Sequence, residues 1–304
     1  MSFTSVVKNE VSKLETVQME NISELSAIVR AIGSFEKGIH ISTENASVAR
    51  RIFYLLKEQY HIKAKITARH GYNFNKNYIY LLEVHQKFQE ILEDLGIDRM
   101  NVEALPKDYI YDDPQLIRAY LRGLFLAVGS INDPKKSRYH LEFLVDTEEY
   151  AYFIMDLLNQ FGFNSKVLKR ESKYMIYMKE AEKIGDFLRL LGTYNALFYY
   201  EDIRIYRDHK NMTNRLNNCE QANVDKMIAT AMEQVSQIEL IREKATLELL
   251  DEKTREAATY RLKYPEVSLN ELSEIISLET GNPITKSGLY HRFHRIKLLA
   301  EKLK

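Results

Sequence analysis

Residues 25–34 read Leu-Ser-Ala-Ile-Val-Arg-Ala-Ile-Gly-Ser, and residues 121–130 read Leu-Arg-Gly-Leu-Phe-Leu-Ala-Val-Gly-Ser. Gly33 and Gly129 stand 96 positions apart, and the patterns that follow them agree in order. After Gly33 come an alternating run (38–43), an apolar-periodic stretch (46–60), a lysine-bearing alternating run (61–69), an aromatic run (78–84) and another periodic stretch (85–95). After Gly129 the same order returns at 138–145, 147–161, 164–170, 174–178 and 180–191. A long unit occurring only twice predicts one pseudo-twofold domain rather than a solenoid. The small residues Ala31, Gly33, Gly123, Ala127 and Gly129 sit near the ends of the two opening helices. Such residues suit ordinary helix packing, and equally two helices lying side by side on a symmetry axis.

Two helices of this pattern, each leading into a ββαββα-type unit, resemble the LAGLIDADG homing endonucleases. In that family the last acid of each helix, before the terminal glycine, binds the catalytic divalent metal. Ile32 and Val128 occupy those positions, and Arg30 and Leu126 stand where the preceding acid would be. A metal site for phosphodiester cleavage needs hard oxygen ligands, which hydrocarbon side chains do not supply. The resemblance therefore implies the scaffold without the nuclease, and neither a cofactor nor a metal is expected. Asp112, Asp113 and Asp133 lie nearby. However, Asp113-Pro114 reads as a helix N-cap with a first-turn proline, and Asn132-Asp133-Pro134 reads as a turn.

The length of 304 residues suggests two domains. Lys plus Arg and Asp plus Glu both number 43, so nucleic-acid affinity would have to come from local patches. No apolar run approaches a membrane span, and residues 1–10 lack a signal core. A single cysteine excludes an intrachain disulfide framework. These features predict a cytoplasmic location by default, and a DNA-binding role would make it nucleoid-associated. Residues 3–17 predict an amphipathic helix capped at Thr4 or Ser5 and packed on the first half.

In 61–69 the residues Ile62, Ala64, Ile66 and Ala68 alternate with His61, Lys63, Lys65, Thr67 and Arg69. This predicts a half-buried antiparallel strand with an outward basic face. Lys166, Lys169, Arg170 and Lys173 occupy the matching place in the second half. In the homing endonucleases that outer face is the saddle that straddles DNA. Here it reads equally as a solvated sheet, since Glu83, Glu142 and Glu171 dilute the charge.

Residues 204–222 are polar and asparagine-rich and read as a linker between a domain spanning 1–203 (halves 21–98 and 114–192) and a helical domain spanning 223–304. The helical domain opens with an amphipathic helix (Val224 to Ile241) and continues with a helix at 256–263 ended before Pro265. Ser268 and Glu271 form a capping box for a helix over 269–277. After a Gly281-Asn282-Pro283 turn, a last helix buries Leu289, Phe293, Ile296 and Ala300. This is the helix-turn-helix plan, over about 268–302, with a longer turn than usual. Lys286, Ser287, Tyr290, His291 and His294 fall on the exposed side of the last helix, flanked by Arg292, Arg295 and Lys297. These residue types at a helix start suit phosphates and base edges. His291 and His294 have no third ligand near them in sequence.

The fold class is thus α+β: a pseudo-twofold LAGLIDADG-like domain with antiparallel sheets, then an all-α helix-turn-helix domain. That pairing resembles the WhiA family of bacterial regulators. The carriers are Leu121 to Pro134, Asn214 to Asn223, Ser268 to Leu272 and Thr285 to Arg295. The resemblance implies double-stranded promoter DNA as partner, transcription control in cell division, chromosome segregation or sporulation, and no enzymatic activity. A transcription-machinery or regulator protein at the N-terminal domain is a further partner it leaves open. The competing classes are a metal-dependent nuclease or maturase-like enzyme, and a protein-interaction scaffold.

Overall fold

In this computed structural model the described residues are 1–70, 78–98 and 104–304, and they form two compact units, Met1–Arg207 and Asp208–Lys304. Ser2, not Thr4 or Ser5, caps α1 (Phe3–Val11), accepting the Ser5 amide at 3.2 Å. The helix stops at Val11, short of the expected 17. Its buried side, Phe3, Val7 and Val11, packs against both halves rather than the first alone. Thr4 is occupied elsewhere: its hydroxyl donates to the Ile131 carbonyl at 2.8 Å and accepts the Ile131 amide at 3.0 Å.

The first half runs α2 (Gln18–Ile32), β1 (Gly33–Ser34), β2 (Ile39–Thr43), α3 (Ala46–Tyr60), β3 (Lys65–His70), β4 (Tyr78–Val84) and α4 (Phe88–Asp94). The second runs α5 (Pro114–Val128), β5 (Gly129–Ile131), β6 (Leu141–Val145), α6 (Glu148–Gln160), β7 (Lys166–Arg170), β8 (Lys173–Met178) and α7 (Ala181–Leu191). Both sheets are antiparallel, in the orders β1-β2-β4-β3 and β5-β6-β8-β7. The duplication read from the sequence is therefore a duplication of topology. Asp113 caps α5 through the Gln115 amide at 2.7 Å, with Pro114 as the first helical residue.

α2 and α5 pack directly on one another. At Gly123 an added Cβ would lie 2.2 Å from the backbone oxygen of Glu24, so the backbones approach where α5 carries no side chain. Beside that contact the Glu24 carboxylate is wholly buried and takes two hydrogen bonds from Arg51, at 2.8 and 2.9 Å. Arg122 Nε lies 3.4 Å away, while its Nη2 donates to Glu20 at 2.9 Å. Removing one partner of such a pair strands a buried charge, a loss of about 3–5 kcal/mol.

The stretch 204–222 is helical. It lies inside α8 (Tyr194–Lys244), a single helix of 51 residues. Residues 194–244 contain neither glycine nor proline. Asparagine lowers helix propensity by only tenths of a kcal/mol, far less than either. The second unit continues with α9 (Glu252–Lys263), α10 (Leu269–Thr280) and α11 (Lys286–Leu303). Its core joins Ile238 and Ile241 of α8 to Ala257, Ala258, Leu272, Ile276, Leu289, Phe293, Ile296 and Ala300. The expected capping box is formed: the Glu271 amide donates to the Ser268 hydroxyl at 3.2 Å, and the Ser268 amide to the Glu271 carboxylate at 2.8 Å. The Ser268 amide, and then the Ser268 side chain, hold the Glu271 carboxyl below the usual range.

Candidate nucleic-acid interface

α11 is aimed by its neighbours. Gly281, in the left-handed conformation at φ 72°, ends α10. Thr285 caps α11, its hydroxyl accepting the Gly288 amide at 3.2 Å. Between them the Ile284 amide donates to the Ser277 hydroxyl at 2.9 Å, which ties the turn to α10. Buried Arg261 donates to the carbonyls of Val267 at 2.7 Å and Tyr264 at 3.2 Å. Its guanidinium lies 5.4 Å from the Phe293 ring centre. One side chain thus fixes the α9–α10 connection against α11.

The seven α11 residues expected to meet nucleic acid divide. Lys286, Ser287, Tyr290 and His291 are exposed at the N-terminal end and form no ion pair among the described residues. The Tyr290 ring stacks on His294 at 6.4 Å and meets His291 edge-on at 5.9 Å. Arg292 instead reaches the carbonyl of Lys253 at 2.9 Å and Glu256 at 3.1 Å, bracing α11 to α9. Arg295 pairs with Asp251 at 3.2 Å, and Lys297 with Glu233 at 3.5 Å. Asp251 also caps α9. The Thr254 hydroxyl and amide, and then Arg295, hold its carboxyl below the usual range. The sequence carried no signal for these pairings, because they depend on how α9 and α8 pack on α11. Exposed ion pairs of this kind are worth at most about 1 kcal/mol, so Arg295 and Lys297 exchange partners readily.

The sheets alter the expected basic face. Leu82 and Val84 of β4 and Ile39 and Ile41 of β2 are buried, so Glu83, Leu81 and Ile79 face away with Lys65, Thr67 and Arg69. Lys63 precedes the strand, in exposed coil. Ile62 and Ala64 are buried as expected, but Ile66 and Ala68, expected inward, are exposed, because β3 is an edge strand. Lys65 pairs with Glu83 at 3.1 Å and pulls that carboxyl down. In the second sheet Lys166 and Arg170 share a face with Leu168 and Tyr177. Lys169 falls on the opposite face, 5.8 Å from the Tyr174 ring centre. A strand's two-residue period separates Lys169 from Arg170, so no single face carries all three cations.

Ile32 and Val128 are the last residues of α2 and α5, half-buried and packed on the core. Asp113 is engaged as a cap, and Asp133 accepts the Lys135 amide at 2.9 Å within its turn. Among the described residues no group of three or more His, Cys, Asp or Glu side chains converges to hold a metal ion.

Three family models match in chain order: the WhiA N-terminal LAGLIDADG-like domain at 18–98, the WhiA LAGLIDADG-like domain at 117–210 and the WhiA C-terminal HTH domain at 213–300. A protein of Staphylococcus aureus strain USA300, named probable cell division protein WhiA, is 42% identical over 100% of this chain and 98% of its own. The chain belongs to the WhiA family. Full-length WhiA from Thermotoga maritima aligns over 99% of both chains, at 27% identity and a TM-score of 0.59. A separate structure of a WhiA N-terminal LAGLIDADG domain covers 63% of this chain and 93% of its own, at 22% identity and a TM-score of 0.50. The WhiA architecture is thus a LAGLIDADG-like domain with two four-stranded sheets, followed by a helix-turn-helix domain.

Proposed function

We propose that this chain is a sequence-specific DNA-binding transcription regulator, acting on promoter DNA in bacterial cell division, chromosome segregation or sporulation. One observation carries the reading. The N-terminal end of α11 presents Lys286, Ser287, Tyr290 and His291 exposed and, among the described residues, free of ion pairs, on a helix held by Arg261, Arg292 and a continuous core. A lysine and hydroxyl beside free helix amides suit phosphate and guanine edges. The name probable cell division protein, carried by the Staphylococcus aureus relative, supports the cellular context. Lys65, Arg69, Lys166 and Arg170 on the outward sheet faces are auxiliary phosphate contacts in this reading. The LAGLIDADG-like domain acts as a scaffold, since Ile32 and Val128 replace the acids a nuclease would need.

The test uses duplexes selected by the full chain from a random pool. Anisotropy at fixed salt should show Lys286→Ala weakening the selected duplex by about 1–3 kcal/mol, the value of one base-edge contact. Full affinity in that variant removes α11 from the interface. Plasmid nicking in Mg²⁺ or Mn²⁺ should stay at the buffer level; strand cleavage that purifies with the chain overturns the regulator reading.

A further inference from the structure

The middle of α8 carries a second pattern that the packing does not use. Every residue from 208 to 226 is exposed. Between 209 and 219 the chain has Asn211, Asn214, Asn217 and Asn218, the cations Lys210 and Arg215, and no acid. None of these six side chains has a hydrogen-bond or ion-pair partner among the described residues. Asparagine is a weak helix former, because its carboxamide competes for the backbone. Four in eleven positions therefore cost the helix stability and return no packing, so the fold does not account for them.

Their arrangement is regular. At 3.6 residues per turn Asn211, Asn214 and Asn218 form one row, spanning about 10.5 Å of helix axis. Lys210 and Arg215 lie about 70° to either side of that row. Gln221 extends it by a further turn. Asparagine and glutamine carboxamides match the adenine edge in the major groove with two hydrogen bonds each. The row spans about three base-pair steps of 3.4 Å. The flanking cations are placed for the phosphates on the two sides of a groove. Apolar residues keep to the back of the helix, where Met212 and Leu216 are 64% and 55% exposed.

We infer that residues 210–221 of α8 are a second DNA-reading element, in which Asn211, Asn214 and Asn218 address adenine-bearing base pairs and Lys210 and Arg215 clamp the adjoining phosphates. The occupant is duplex DNA, on charge grounds: residues 209–219 carry the two cations and no acid, and Asp208 and Glu220 come only at their borders. The inference rests on the reading of the chain as a DNA-binding protein, yet concerns a surface separate from α11.

Two full-length variants test it on the selected duplex and on calf-thymus DNA. Asn211→Ala/Asn214→Ala/Asn218→Ala should lose at least tenfold affinity for the selected duplex while keeping its affinity for bulk DNA, since amides read bases and carry no charge. Alanine strengthens an exposed helix, so circular dichroism should show no loss of helix, and weakened binding cannot be blamed on unfolding. Lys210→Ala/Arg215→Ala should weaken both DNAs and lower the salt slope by about 1.8, at about 0.9 per lost phosphate contact. Wild-type behaviour of both variants overturns the inference. So does a concentration-dependent dimer, seen by sedimentation, that Met212→Lys dissociates, because the stretch is then a contact between two copies. Loss of binding with Lys286→Ala but not with these variants spares the α11 reading and sinks this one; the converse result does the reverse.

Discussion

Lys8 shows what one misfit side chain does to a stability profile. It is half-buried beside the Phe125 ring, 5.8 Å from the ring centre, and forms no ion pair among the described residues. It lines a cleft of about 840 Å³ together with Arg50 and Glu44. Burial lowers its pKa from 10.5 to about 8. The folded state thus releases this proton more readily than the unfolded chain. Below pH 8 both states hold the proton and folding carries the full desolvation penalty. As pH rises from 8 toward 10.5 the penalty fades and stability increases. Lys8→Met keeps the aliphatic length and removes the charge. It should raise stability at pH 7 by about 1–3 kcal/mol, with the gain shrinking across pH 8 to 10.5. Urea melts of the two proteins at both ends of that window check the sign. A gain that is constant with pH would mean that Lys8 already meets water or an anion.

At the scale of elements, helices and strands were readable wherever their period was strong. The repeated motif, the Asp113-Pro114 start, the Ser268–Glu271 box and the Leu289/Phe293/Ile296/Ala300 stripe all stand where the spacing placed them. The errors share a cause, because each depended on partners that local pattern does not reveal. Ile66 alternates like a core residue, yet β3 is an edge strand with that side open. Arg292 looks like a flanking cation and serves as a strut. Residues 204–222 look irregular from their polar composition, yet nothing in them breaks a helix, and the boundary between the two units falls inside that helix. The buried Glu24–Arg51 pair left no readable sign, since it joins α2 to α3 across the fold. The α2–α5 contact gives this scale its own test. Gly123→Ala in an isolated helix would stabilise by about 1 kcal/mol. Here the new Cβ meets Glu24 backbone, which no rotamer change can move aside, so the helices must part. The expected result is a loss of about 1–3 kcal/mol, read from the urea midpoint. A stabilised variant would show that the helices separate freely at this point.

For the whole molecule, the decisive feature is that the two hydrophobic clusters share no residue. One holds α1 to α7 with the start of α8; the other holds the end of α8 with α9 to α11. The element proposed to read DNA thus rests on a core of its own, and the pseudo-twofold domain can lose or gain stability without repositioning α11 within its unit. Two cores without common members should melt as two cooperative transitions, since cooperativity follows shared burial. Phe293 is buried within the α11 stripe with the Arg261 guanidinium over its ring, so Phe293→Ala should cost the second unit about 3–5 kcal/mol. Differential scanning calorimetry of the full chain should show one transition moving down and the other holding its temperature. Specific DNA binding should disappear with the transition that moves, while near-ultraviolet circular dichroism of the tyrosine-rich first unit persists. A single transition that shifts as a whole would mean that α8, a continuous helix from Tyr194 to Lys244, couples the two cores into one folding unit.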